Sequence, residues 1–103
     1  MTVIIGVDPH KASHTAGAIS DAEEELDRKR VRSGCSQLSQ LVSWAEPFSA
    51  RTWAIESASG LGYLLAQQLV AVGETVVDVP ATLASRARLL ATGRPRVPNS
   101  PTR

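Results

Sequence analysis

Ile4-Ile5-Gly6-Val7-Asp8-Pro9-His10-Lys11, IIGVDPHK, is an apolar run that stops on an aspartate, followed by a proline. From Val3 to Val7 the residues are apolar at odd and even positions alike, the pattern of a central strand buried on both faces. Pro9 has no N–H for the next rung of a ladder and helps to end the strand. An interior-type strand therefore delivers a carboxylate, Asp8, at its tip.

Working outward, His14 to Ile19 (HTAGAI) reads as a second strand of small residues, and Ser20-Asp21 is turn chemistry. Glu25 to Arg32 (ELDRKRVR) alternates weakly and is highly charged, as suits a solvated edge strand. These three segments predict an antiparallel meander. Gly34 breaks the pattern, and Leu38, Leu41, Val42 and Ala45 then fall at helical spacing up to Pro47. Arg51 to Glu56 (RTWAIE) is a short strand that again ends on a carboxylate. Ser57 to Gly62 (SASGLG) turns into a second helix whose expected buried stripe is Leu61, Leu64, Leu65, Leu69 (or Gln68 beside it) and Val72, with Gly73 as its stop. Glu74 to Val79 (ETVVDV) is a fifth strand. After Pro80 a third helix is expected to about Ala91, with Leu83, Ala87 and Leu90 inward.

The order βββ-α-β-α-β-α predicts an α/β fold, a mixed sheet with helices on both faces. One arrangement with this order is the ribonuclease H-like fold, in which the first strand is central and the fourth lies beside it, parallel. Residues 1–92 read as one domain, and residues 93–103, with three prolines and no periodicity, as a disordered basic tail.

The totals narrow the classes. A chain of 103 residues suggests a single domain with a small core. Hydrophobic content of 43% and charged content of 20% are ordinary for a soluble globular protein. Two Trp, one Tyr and one Phe are few for a surface that binds nucleic acid by stacking. No apolar run approaches the roughly 20 residues of a membrane span, and no signal-peptide pattern opens the chain. The single Cys35 cannot form an internal disulfide, which fits the cytoplasm. Beyond Asp78 there is no acidic residue, while Arg86, Arg88, Arg94, Arg96 and Arg103 stand unopposed. Such a basic end can lie along phosphates, or be simply solvated.

Asp8 and Glu56 carry the chemistry. If the first and fourth strands are parallel neighbours, both carboxylates emerge at the same sheet edge, where open α/β sheets form ligand sites. Carboxylates that close repel unless a cation lies between them, and a hard cation such as Mg²⁺ or Mn²⁺ suits oxygen ligands. Metal ions held this way serve phosphoryl transfer on DNA or RNA. The plainer reading is that Asp8 caps the turn at Pro9 and Glu56 the following helix.

IGVDPHKASHT, WAIESASGLGYLLAQQL and ETVVDVPATLASRARLLATGR, taken in that order, resemble the N-terminal domain of DEDD-type transposases of the IS-one-ten insertion-sequence group, with a RuvC-like, ribonuclease H fold. The resemblance covers about residues 3–94. It implies that Asp8 is the first catalytic and metal-binding aspartate, that Glu56 is the glutamate of the set, and that His10 and Lys11 are the polar pair after that aspartate. It also implies Mg-dependent DNA strand cleavage and transfer in intact members, with DNA, a guide RNA and further copies of the transposase as partners. The family's third and fourth acids are expected after the third helix, but residues 93–103 (GRPRVPNSPTR) hold none. The expectation is a truncated domain, out of frame in its tail, that keeps two acids and does not cleave alone.

Other features read plainly. His10 and His14 have the i, i+4 spacing of helix-borne metal ligands, but they follow a strand, where that spacing does not bring them together. SASGLG lacks the spacing of a phosphate loop and reads as a tight turn that helps frame the site. Glu23-Glu24-Glu25 is expected to face Arg28-Lys29-Arg30 across a hairpin. Trp44 and Trp53 read as core, and Cys35 as inert. A sheet that meets a second domain in its relatives is expected to leave apolar surface for self-association. Two other functions fit less closely. One is a non-catalytic nucleic-acid-binding or dominant-negative module. The other is a piece of an actin-like ATPase or sugar kinase, against which bulky Pro9, His10 and Lys11 replace the expected glycines.

Overall fold

The computed structural model describes residues 2–56, 58 and 60–79. Its elements are β1 (Val3–Pro9), β2 (Ser13–Ile19), β3 (Glu25–Arg32), α1 (Gln37–Ala45), β4 (Arg51–Glu56), α2 (Tyr63–Ala71) and β5 (Val76–Val79). The expected third helix and the tail, with Arg86, Arg88, Arg94 and Arg96, lie outside the described residues.

The strands form one mixed sheet in the order β3-β2-β1-β4-β5. β1 pairs antiparallel with β2 and parallel with β4, so it is central as its apolar pattern predicts, but it is not buried on both faces as expected: Ile4, on the face away from the described helices, is 45% exposed. β2 and β3 complete the antiparallel meander, and β5 joins β4 in parallel. Pro9 is the last residue of β1, where its missing donor costs least.

Strand alternation divides the sheet into two faces. Val3, Ile5 and Val7 of β1, Ala16 and Ala18 of β2, Val31 of β3, and Trp53 and Ile55 of β4 build the core with Leu41 and Ala45 of α1 and Leu65 and Leu69 of α2. Both described helices therefore cover one face. Of the expected helices on both faces, the one left for the second face lies outside the described residues.

The expected stripe of α2 needs correction. Leu65 and Leu69 are buried, but Leu61, Leu64 and Val72 are more than half exposed. α2 instead turns Gly62, Leu65, Ala66 and Leu69 to the sheet. Gly62, without a side chain, lets the helix start approach the strand tips. Gly73, at φ +90°, stops the helix in a conformation that favours glycine.

Glu74, expected in the fifth strand, precedes β5 and closes a clamp at the sheet's far end. Arg51 donates from Nε and Nη2 to its two carboxylate oxygens at 2.9 and 2.7 Å. Arg51 Nη1 also donates to the carbonyls of Ala45 and Phe48 at the end of α1, and Trp53 Nε1 donates to Glu74 at 2.7 Å. The Arg51 hydrogen bonds hold the Glu74 carboxyl below the usual glutamate range and raise the guanidinium in turn. One glutamate thus ties together α1, β4 and the α2–β5 turn.

The charged hairpin also differs from expectation. Glu25 pairs with Arg28 of its own strand at 2.7 Å, not with a base across a turn. Trp53 is fully buried, as expected, while Trp44 is partly buried and donates to Asp27 at 2.9 Å. Cys35 is exposed just ahead of α1.

Candidate metal centre

The parallel register of β1 and β4 pairs Gly6 with Ala54 and Val7 with Ile55. One residue further, Asp8 and Glu56 stand side by side at the C-terminal ends of the two strands, on the same face. Neither is free in solvent. Asp8 is 24% exposed and has His10 Nδ1 3.8 Å from its Oδ1. Glu56 is part-buried, and its Oε1 has no hydrogen-bond partner among the described residues. A buried carboxylate oxygen without a donor is costly unless a cation or water supplies the missing partner.

The donor set fits a hard divalent cation: two carboxylates, one with an orphaned buried oxygen. Among the described residues no group of three or more His, Cys, Asp or Glu side chains gathers around such a position. Two protein ligands hold a hydrated ion through waters more loosely than a full acidic cage does.

The walls of the site are set by packing. A Cβ on Gly62 would meet Ile55 Cγ2 at 2.7 Å, the Glu56 carbonyl at 3.1 Å and Pro9 Cγ at 3.3 Å. The start of α2 is therefore pressed against the tips of both carboxylate-bearing strands, and only glycine allows it. Gly62→Ala is expected to cost about 1–3 kcal/mol in a thermal melt, because backbone and core atoms must move apart. A loss below about 0.5 kcal/mol would mean that the helix start yields freely. Beyond Glu56, the Ala58 N–H donates to Asp78 Oδ1 at 3.0 Å, so β5 anchors the loop that follows the glutamate. That anchor joins residues 20 positions apart, and no spacing in the sequence announces it.

His10 and Lys11 are exposed on the loop that follows β1. His14 goes elsewhere. It is buried beneath α1, where Nε2 lies 3.0 Å from Gln37 Oε1. That amide oxygen can only accept, so Nε2 carries the proton and the buried Nδ1 is left without a partner. Burial pushes the His14 imidazole below its usual range, against the raising effect of the Gln37 hydrogen bond. Gln37 continues the chain, donating to Gln68 of α2 at 2.8 Å. Nothing in the local sequence singles out Gln37, just ahead of the apolar stripe that starts at Leu38; its burial follows from this histidine. The two histidines meet different partners, Asp8 and Gln37, although both line one depression with Lys11 and Leu65.

A family model described as Transposase, for DEDD enzymes of the IS-one-ten (IS110) group, matches residues 5–95. The chain belongs to this DEDD transposase family. The match contains both Asp8 and Glu56. A search of curated proteins finds no match. Among solved structures, the large terminase nuclease from thermophilic phage G20c superposes with a TM-score of 0.64 at 17% identity, over 89% of this chain and 55% of that one. RuvC of T. thermophilus, in complex with a Holliday junction substrate, superposes with a TM-score of 0.59 at 14% identity, over 80% of this chain and 66% of that one. These likenesses establish the ribonuclease H-like fold of this transposase domain. The chain spans about half the length of the terminase nuclease. Among the described residues, no helix is long and apolar enough to cross a membrane.

Proposed function

We propose that this transposase domain binds DNA at a divalent-metal site formed by Asp8 and Glu56, with Mg²⁺ as the metal and Mn²⁺ as a substitute. The observation that carries the reading is the pairing of these carboxylates at the tips of parallel β1 and β4, with Glu56 Oε1 buried and without a hydrogen-bond partner among the described residues. Asp8 and Glu56 would hold the cation, which would supply Lewis-acid contact to a phosphoryl oxygen of the DNA. His10 and Lys11, on the adjoining loop, meet the DNA backbone beside the metal. Arg86, Arg88, Arg94 and Arg96 add a basic stretch with no acid among them, to which we assign further phosphate contacts.

Strand cleavage asks for more than this site holds. A two-metal clamp needs acidic ligands beyond Asp8 and Glu56, and residues 93–103 contain no Asp or Glu. The reading is that the 103 residues engage DNA without cutting it, residues 1–92 as the domain and 93–103 as a basic tail. Such a chain acts as a binding or dominant-negative module in the cytoplasm, at the nucleoid when DNA-bound. Exposed Leu61, Leu64 and Val72 on α2 offer apolar surface to a second copy or to a longer transposase. A guide RNA is the further partner that family membership suggests.

Binding of a labelled DNA duplex in Mn²⁺ and in EDTA, with nicking followed in the same samples, tests the proposal. Tighter binding in Mn²⁺ without nicking is expected. Nicking that disappears in Asp8→Asn would overturn the non-cleaving part. A metal response unchanged in Asp8→Asn would overturn the site.

A further inference from the structure

Strand register places a second set of charges on the same sheet face as the carboxylates. Asp8 pairs with Thr15 of β2, and Thr15 pairs with Arg30 of β3. Directly paired residues share a face, so Arg30 lies level with Asp8, two strands away. At about 4.8 Å per strand the separation is about 10 Å, roughly three nucleotide rises of one DNA strand. Arg32, paired with Ser13, stands one step beyond on the same face. Lys29, between Gly17's partner Arg28 and Arg30, alternates to the helix-covered face and borders Ser39, Gln40 and Trp44 of α1.

The two arginines are available. Both are exposed, and among the described residues neither has a carboxylate within ion-pair distance, whereas Arg28 is engaged by Glu25. Ser13 Oγ accepts from Arg30 Nε at 3.3 Å, which steadies the side chain and leaves its terminal nitrogens for a ligand. A depression of about 430 Å³ lies at this end of the β2–β3 pair, lined by Ala12, Ser13, Arg30, Val31 and Arg32. Between Arg30 and Asp8 this face carries Thr15 of β2; on the next rung Gly17 lies beside the Glu25 carboxylate, while a Cβ on Gly6 of β1 would meet nothing within 4 Å among the described residues. Both described helices lie on the opposite face.

We propose that Arg30 and Arg32 form a phosphate track that holds the DNA strand whose backbone reaches the Asp8–Glu56 metal site. The proposal rests on the DNA-binding reading above and adds the route the strand takes. Guanidinium groups suit it because their planar donor pairs match phosphate oxygens. Edge position suits it as well, since a strand at the rim of a sheet admits a long polymer that an enclosed pocket would not.

The test is a salt titration of the full 103-residue chain on a labelled DNA duplex of random sequence, in Mg²⁺, for wild type, Arg30→Gln, Arg32→Gln and Lys29→Gln. Each arginine substitution is expected to make the slope of log K against log salt shallower by about 0.9, with the double variant near twice that. Lys29→Gln removes the same charge from the other face and is expected to leave the slope unchanged. An unchanged slope in the arginine double variant overturns the track, as does an equal loss in Lys29→Gln, which would make the effect one of net charge. If the track fails while Asp8→Asn still removes the metal response of binding, the metal-site reading stands without it. Wild-type binding without salt dependence overturns both.

Discussion

Asp8→Asn is expected to abolish the stabilisation that Mn²⁺ should give to the wild-type chain, and Glu56→Gln is expected to do the same. A cation that binds the folded state alone raises its stability by RT ln(1 + [L]/Kd), about 2.7 kcal/mol at a hundred times Kd. For a domain of this size that is a rise of roughly 10–20 °C in melting temperature. Both acids contribute because each stands at the tip of a neighbouring parallel strand on one face. Without metal the expected order reverses. Glu56 Oε1 is buried without a partner among the described residues, and a second carboxylate stands beside it. Neutralising one acid removes repulsion, so Glu56→Gln is expected to melt no lower than wild type in EDTA. His10→Ala, which removes the imidazole near Asp8 but no carboxylate, is expected to keep the Mn²⁺ response. Melting curves with and without Mn²⁺ decide the matter. A full response in Asp8→Asn would show that the ion binds elsewhere.

The second large effect lies at the opposite end of the sheet. Glu74→Ala is expected to destabilise the fold by about 3 kcal/mol, because it strands a mostly buried Arg51 and leaves the Trp53 indole N–H without its acceptor. pH gives the cross-check. The Arg51 hydrogen bonds hold the folded-state value of Glu74 below its unfolded value. Its contribution is therefore complete above about pH 4.5, the ordinary glutamate range, and is lost as pH falls through the lower folded value. Wild type loses this contribution in acid, and Glu74→Ala has none to lose, so the two melting temperatures converge as pH drops. A constant gap down to acid pH would assign the loss to packing and not to the ion pair. Trp53→Phe keeps the Arg51–Glu74 pair and most of the buried ring, and is expected to cost less than Glu74→Ala.

Much of the framework is legible in the chain. β3 and β4 occupy the ranges their patterns predict, Glu25–Arg32 and Arg51–Glu56. The two-sided apolar run of β1 announces its central place, and the carboxylates at the ends of β1 and β4 can be read directly. Side-chain partners across the fold cannot. The hydrophobic spacing of α2 admits two overlapping stripes, Leu61-Leu64-Val72 and Leu65-Leu69. The close approach allowed by Gly62 selects the second. Glu74 looks like the start of a strand, because nothing local shows that Arg51, 23 residues earlier, waits for it. Arg28, Lys29 and Arg30 form one basic block in sequence. Only the pairing of β2 with β3 sends Arg30 to the carboxylate face and Lys29 to the helices.

By itself, then, the sequence determined the element types, the central strand and the two acids at strand ends, because periodicity and chain-breaking residues act over a few positions. The tertiary structure decided which groups share a face, which charges are paired, and that Glu56 keeps an oxygen buried without a donor among the described residues. Those outcomes depend on strand order and register, which join residues tens of positions apart and leave no local trace in the chain.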